Sequence, residues 1–539
     1  MSPGSDAHTG KSPHDVDWVV IGSGFGGSVA ALRLAEKGYR VAVLEQGRRF
    51  RDRDFARSAW QLHKLVWAPG VGLHGILRTR TFRHVSVIAG VGVGGGSLVY
   101  GNTLYVPHSD EFYRHPQWAG LADWRTELAE HFETAERMLG VVEYVGDGPS
   151  ERLMRGIAED LGVADSYRTT PVGVYFGEPG KEVADPYFDG AGPSRSGCIR
   201  CGQCMLGCRV GAKNTLTKNY LWLAERLGVE IMSDRRVVDV RPLGDENGGG
   251  GYAVVSERPG ASWRRRRSVL RAGGVVFAAG TLGTNELLVR CRERGSLPRL
   301  SARLGELVRT NSETITAATA TVKGVEYGQG LAITASVFPD QLTHFTNNTY
   351  GRAGDAFALM FGPLTSGSRP RLRPLRLAFA TIRGPRRWLN PLRLRGWSQR
   401  TVLFTVMQST QSALRLRRRG WPWRAFAPLQ TEQDPNQPLA GFVPVANRIA
   451  TLAARRMGGY PQSSLVESVR GTPTTAHFLG GAAIGATPEK GVIDGEHRVF
   501  GYENLLVCDG SSVPANVGVN PSLTITALAE RAISRIPHA

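Results

Sequence analysis

No stretch of this 539-residue sequence reaches 18 consecutive apolar residues, so no helix of it is expected to cross a membrane. The first 17 residues are polar, are broken by Pro and Gly, and hold no apolar core of the secretory-signal kind. Cysteine is scarce: there are six, too few for a disulfide framework in a chain this long, and four of them crowd into residues 198–208. A reducing, cytoplasmic setting is the simplest expectation. Acidic residues are also short, with 47 Asp and Glu against 66 Lys and Arg, a net charge of +19. That deficit is local. From Arg369 to Arg424 there are fifteen Arg and no Asp, Glu or Lys.

What remains is ample for a large core, since 41% of the residues are hydrophobic, and more than a single ~150-residue unit normally holds. Residues 17–21 form a short apolar run of buried-strand type. Residues 28–37 place Val29, Leu32, Leu34 and Ala35 at helical spacing, and residues 39–44 return to β-type side chains, which completes a βαβ unit. Between strand and helix, Gly22, Gly24 and Gly27 spell G-x-G-x-x-G. The first glycine allows the tight turn, the second lets backbone approach a pyrophosphate at the helix N-terminus, and the third lets helix and strand pack. Glu45 follows 18 residues after Gly27, where a carboxylate accepts ribose hydroxyls. A carboxylate there argues against a 2′-phosphate, so the motif points to FAD or NAD without choosing between them. Further buried strands are expected at 229–231, within 275–280 and just before Asp509, followed by a helix over 523–533. The nucleotide half therefore recurs at both ends and in the middle of the chain, with a substrate half inserted between.

Four segments carry a family resemblance. Residues 90–107, GVGVGGGSLVYGNTLYVP, are similar to the flavin-covering loop of the glucose–methanol–choline oxidoreductases; an isoalloxazine ring needs backbone at van der Waals distance, which side chains would block. Residues 505–532, LLVCDGSSVPANVGVNPSLTITALAERA, and 473–485, PTTAHFLGGAAIG, resemble the cholesterol-oxidase-like branch of that family, as does the stretch 277–300. The resemblance implies an α/β protein in which a Rossmann-like FAD-binding domain is interleaved with an α+β substrate domain built on an antiparallel sheet. It implies FAD as cofactor, held by Gly22, Gly24, Gly27, Glu45, Gly95, Gly96, Gly101, Val237, Asp509 and Gly510, with His477 and Asn520 as catalytic residues. The reaction it implies is oxidation of a 3β-hydroxysteroid, or a similarly bulky apolar secondary alcohol, to the ketone. Hydride goes to flavin N5 while a base removes the hydroxyl proton, and a near-neutral His and an amide that does not titrate suit those roles. The chain departs from the pattern at Tyr100, where the branch has Asn. It departs again at Thr346, where the branch has the carboxylate that isomerises the ring double bond; the nearest acids are Asp340 and Asp355. Isomerisation is thus left without its carboxylate.

The expected boundaries are a tail at 1–16, an FAD-binding domain from 17–50, 81–110, 210–310 and 470–539, and a substrate domain from 51–80, 111–209 and 311–469. Within the substrate domain, Cys198, Cys201, Cys204 and Cys208 give C-x2-C-x2-C-x3-C. The spacing matches half of a bacterial ferredoxin site, although Arg209 stands where Pro is usual. Zinc, which usually takes two separated knuckles, and a loop of free thiols are the other readings. A cluster would make the chain a dehydrogenase with an electron-transfer partner, acting on a long-chain or secondary-metabolite alcohol; without one, O2 could reoxidise FAD. A non-catalytic flavoprotein that binds sterol or membrane is the reading from another class. In the Arg-rich segment 369–424, Leu372, Leu375, Phe379 and Ile382 fall three and four apart, with Trp388 and Trp397 flanking. This composition suits peripheral contact with an anionic membrane, at the inner face for a cytoplasmic protein. Pro370, Pro374, Pro385 and Pro391 are expected to break it into short turns. No recognition motif accompanies it that would indicate nucleic acid.

Overall fold

In the computed structural model, residues 14–260, 266–322, 324–367, 372–384, 388, 394–418 and 428–539 are described. The strand Val16–Ile21 is central to a seven-stranded sheet. It pairs in parallel with Val41–Leu44 on one side and with Arg267–Phe277 on the other. Its last four residues are wholly buried, as a strand covered on both faces must be. Glu230–Met232 extends the sheet beyond Val41–Leu44. The long strand Arg267–Phe277 serves two neighbours on its far side: residues 267–272 pair antiparallel with Tyr252–Glu257, and residues 275–277 pair in parallel with Leu505–Val507. Arg236–Pro242 closes that edge. The helix Phe25–Glu36 starts directly after Gly24 and is buried between this sheet and the C-terminal helix Ser522–Ser534, to which Arg33 and Glu530 tie it at 2.7 Å.

A second seven-stranded sheet is antiparallel throughout. Its order is Phe361–Pro363, Gly459–Ser464, Thr314–Ala320, Thr401–Gln408, Thr343–Asn348, Ala335–Val337, Arg168–Thr169. Alternation along a strand sorts its side chains. Val402, Phe404 and Val406 pack outward against the helices Pro149–Leu161 and Pro444–Arg456, whereas Leu403 and Thr405 face a cavity. A small sheet in which Thr474–Thr475 pairs with Ser86–Gly90 delivers the segment that carries His477.

The Arg-rich segment is less uniform than its composition suggests. Arg373–Arg383 is one helix, because Pro374 falls in its first turn, where a missing N–H costs nothing. Thr401–Gln408 and Leu414–Arg418 are strands. Trp397 is not a surface flank: it is fully buried, with Nε1 donating to Gln462 Oε1 at 3.2 Å, and Arg373 is buried too. Trp388 packs edge-on to Tyr460. Pro370, Pro385 and Pro391 lie outside the described residues, as do residues 1–13 of the tail. Among the described residues, no helix is long and apolar enough to cross a membrane.

Candidate active site

A cleft of about 410 Å³ runs along the C-terminal ends of the parallel strands. Gly22 turns with φ 104°, and a Cβ there would sit 2.3 Å from the Ala278 carbonyl oxygen. At Gly24 a Cβ would meet nothing within 4 Å, so the backbone faces open cleft. Gly27 lies outside the cleft, packed so closely that a Cβ would stand 2.1 Å from the Gly22 carbonyl. The second glycine loop lies directly on the first, with Gly95 over the Gly24 Cα, and both Gly95 and Gly96 line the cleft. At its far end stand Val237 and Glu45. Glu45 accepts from the Gly47 amide at 2.8 Å and from Ser23 Oγ at 2.9 Å, and burial raises its pKa above the usual carboxylate value.

The cleft opens into a second cavity of about 620 Å³, the two sharing Gly24, Gly96, Ala278 and Gly280. Gly101, Asp509 and Gly510 line this second space. Burial also raises the Asp509 pKa, and its carboxylate accepts from Thr284 Oγ1 and from the Ser511 amide. Most of the wall is apolar, and the exposed side chains of Trp60, Leu62, Leu359 and Met360 rim it. His477 and Asn520 meet on one wall: Asn520 Nδ2 lies 3.2 Å from His477 Nε2, and Asn520 Oδ1 is buried with no partner among the described residues. An orphaned acceptor beside an imidazole and an apolar space fits a ligand hydroxyl.

One carboxylate here was not expected from sequence. Glu313, 3% exposed, lines the same cavity, and its Oε2 lies 3.0 Å from His477 Nδ1, an ion-pair contact without linear hydrogen-bond geometry. The same oxygen accepts from Thr475 Oγ1 at 2.7 Å and from the Ala476 amide at 3.0 Å. No motif marks this residue, which directly precedes the strand Thr314–Ala320 and lies 164 positions before its partner. Thr346 is fully buried and does not reach the cavity, while Asn348, two residues on, does. Asp340 caps the Leu342 and Thr343 amides, and Asp355 holds Gly396 and Ser398. Tyr100 lines the cavity with its ring edge-on to Phe25 and its hydroxyl donating to the Asn214 carbonyl at 2.8 Å.

The four clustered cysteines do not form the site their spacing suggested. Among the described residues no group of three or more His, Cys, Asp or Glu is placed to hold a metal ion. Left-handed backbone at Arg200, Gly202 and Gly207 winds the loop so that Cys198, Cys204 and Cys208 pack against Tyr144, Val174 and Leu331. Burial pushes the Cys198 thiol up to about 11 and the Cys204 thiol up to about 12. The residues present do not fit an iron–sulfur cluster. The loop's firmest tie is instead Lys213, fully buried, whose Nζ donates to the carbonyls of Leu98, Tyr100 and Cys204.

Sequence relationships agree with this geometry. Residues 17–352 match the family described as FAD dependent oxidoreductase, and residues 421–529 the one described as GMC oxidoreductase. The chain belongs to the FAD-dependent GMC oxidoreductases. A cholesterol oxidase of Mycobacterium tuberculosis is 45% identical over 543 residues, spanning 97% of this chain and 91% of its own. A cholesterol oxidase of Acinetobacter baumannii is 42% identical over 97% of this chain and 95% of its own. The crystal structure of pyridoxine 4-oxidase from Mesorbium loti shares the fold, with a TM-score of 0.61 at 14% identity over 97% of this chain and 99% of that one. FAD fits the residues in place: an open backbone at Gly24, glycine loops in contact, and a carboxylate at Glu45.

Proposed function

We propose that the protein oxidises the 3β-hydroxyl of a sterol, or of a similarly bulky apolar secondary alcohol, to the ketone. The observation that carries this reading is the Asn520–His477 pair, set where a mostly apolar cavity of about 620 Å³ joins the dinucleotide cleft. A space of that size suits a rigid apolar skeleton. Two relatives named as cholesterol oxidases, at 45% and 42% identity, support the substrate class and O2 as electron acceptor.

Bound FAD supplies the acceptor for the hydride that leaves the carbinol carbon. His477 Nε2 takes the hydroxyl proton, and the Asn520 amide holds the substrate oxygen in line with it. Gly22, Gly24, Gly95 and Gly96 offer backbone to the cofactor, Gly27 packs the turn that presents it, and Glu45 holds the ribose beside Val237. Gly101, Asp509 and Gly510 stand at the flavin end. The apolar walls keep water from the reacting carbon. We assign 17–50, 81–110, 210–310 and 470–539 to the cofactor half, and 51–80, 111–209 and 311–469 to the substrate half.

Peripheral contact with anionic lipid belongs to the same reading. On the helix Arg373–Arg383, Leu375, Phe379 and Ile382 share one face and are 68%, 56% and 74% exposed. This helix packs on Phe361–Pro363, the strand that follows the cavity-rim residues Leu359 and Met360. An exposed apolar face on a segment rich in Arg and free of acids suits an anionic bilayer.

Anaerobic addition of a sterol tests the proposal: it should bleach the flavin absorbance near ~450 nm, and O2 should restore it. An unchanged spectrum with sterols and fatty alcohols alike would overturn it.

A further inference from the structure

With Asn520 Nδ2 facing His477 Nε2, the complementary tautomer has Nε2 as acceptor and the ring proton on Nδ1, the nitrogen beside Glu313 Oε2. Among the described residues no Lys or Arg lies within ion-pair distance of Glu313, and the imidazole is its one ion-pair partner. A carboxylate this deeply buried without a cation favours a proton arriving on its neighbour, since that turns a lone charge into a pair. The hydrogen bonds from Thr475 Oγ1 and the Ala476 amide fasten the carboxylate to the two residues before His477, so base and carboxylate share one short segment.

The backbone before Glu313 is unusual. Asn311 and Ser312 are consecutive non-glycine residues with φ of 57° and 44°, a left-handed turn that L side chains rarely adopt. Dedicated contacts hold it there. Asn311 Nδ2 donates to the Val519 carbonyl at 2.8 Å, and Asn311 Oδ1 accepts from the Gly518 amide at 2.7 Å. Asn516 Oδ1 accepts from the Asn311 amide at 2.8 Å. Ser312 Oγ lies 2.8 Å from Thr410 Oγ1 and 2.7 Å from Ser412 Oγ. Both ends of the Asn311 amide thus grip the two residues that precede Asn520, while the next turn of backbone delivers Glu313 to His477.

We propose that Glu313 is a positioning residue that keeps His477 in the tautomer able to accept the substrate proton, and that the Asn311–Ser312 turn sets Glu313 and Asn520 in register across it. This rests on the oxidation proposed above. In the step concerned, the alcohol O–H proton moves to His477 Nε2 and its C–H hydride to the bound flavin. The product is a C=O bond and an imidazolium held against the Glu313 carboxylate. Another titratable group that interacts with the imidazole is His344 on Thr343–Asn348, which burial pushes down to about 3 and so leaves neutral.

The test is Glu313→Gln, which keeps shape and removes charge. FAD content and Tm should stay at the wild-type level, kcat should fall by about 10²-fold or more, and KM should change little. A neutral imidazole is the working form and the carboxylate stabilises its protonated form. Without the carboxylate, the acid limb of the kcat/KM profile should therefore move to lower pH. Glu313→Asp, which restores the charge, should bring that limb back towards its wild-type position. Unchanged kcat and an unchanged acid limb in Glu313→Gln would overturn the proposal, as would a loss of Tm or FAD that alone accounts for the lower rate. Asn311→Gly accepts the left-handed turn but releases the grip on residues 518–519; retained kcat there would overturn the register role. ¹⁵N spectra of histidine-labelled enzyme, assigned with His477→Asn, read the tautomer without any substrate. An Nδ1-protonated ring in the wild type that becomes mixed in Glu313→Gln supports the proposal even if no sterol is oxidised, whereas identical spectra sink it whatever the substrate proves to be.

Discussion

Lys213 Nζ lies 2.9 Å from the Tyr100 carbonyl oxygen and 4.6 Å from the centre of the Tyr100 ring. All three ammonium donors are used on carbonyls, two of them in the glycine loop at the flavin end and one at Cys204. Burial brings this lysine down to about 7. This buried lysine ties the 98–100 segment of the glycine loop to the cysteine loop at Cys204.

Replacing Lys213 with Met should therefore loosen the grip on FAD. Three carbonyls would lose their donor, and at about 1–3 kcal/mol for a buried unpaired group the Kd for FAD should rise by about tenfold or more. Fluorescence titration of deflavinated protein with FAD measures this. An unaltered Kd would assign Lys213 to general folding instead.

His477→Gln should keep its FAD and lose about 10²–10⁴ of kcat, the usual worth of a placed base. Asn520→Leu should lose about 10²–10³ in kcat/KM, in line with removal of one polar group that holds a reacting oxygen. Steady-state assays on a sterol in detergent, each variant checked for flavin content, decide the point. Activity near wild type in either would remove that residue from the site.

Acid should destabilise the protein in a window set by buried histidines. His115, His344 and His497 are pushed down to about 4, 3 and 4 by burial, against an ordinary value of 6.5. Between 6.5 and those values the unfolded chain binds protons that the folded one refuses, so stability falls as pH falls. The raised carboxylates Glu45, Glu467 and Asp509 work against this, because the folded state holds their protons more tightly. His497→Asn should keep a donor near the Val507 carbonyl and suit φ 67°. It should flatten the stability–pH slope by up to about 1.4 kcal/mol per unit between pH 6 and 5. Denaturant melts across that range read the slope directly, and an unchanged slope would show that His497 does not titrate on unfolding.

Leu375, Phe379 and Ile382 changed together to Ser should abolish flotation with vesicles containing phosphatidylglycerol. Turnover of detergent-dispersed substrate should remain, since the helix lies outside the catalytic wall. Wild-type protein that ignores such vesicles, or a triple variant that still floats, would dismiss the lipid contact.

The glycine turn at residues 22–27 was legible because its requirements are local: a φ that only glycine likes, and gaps where a Cβ would collide. His477, Asn520, Asp509 and Gly510 were singled out by short segments that carry the family pattern, and all four line one cavity. Their meeting at 3.2 Å across 43 residues could not be read from spacing. Glu313 escaped notice because the antiparallel sheet, rather than any neighbour in sequence, brings it to the imidazole. The cysteines misled for the opposite reason. Their spacing is local and ligand-like, yet the turns of their loop put the sulfurs into apolar packing. Trp397 read as a surface flank from the arginines around it, but its strand neighbours bury it.

The placing of Leu505–Val507 beside Phe277 has a consequence for how the protein is made. A ribosome delivers the glycine turn first, yet that turn's sheet gains this strand, and the residues Asp509 and Asn520 that follow it, only when residues 505–539 emerge. Completion of this sheet is therefore a late event in synthesis. A product cut short before residue 505 would lack this strand and the Asp509, Gly510 and Asn520 part of the larger cavity's wall.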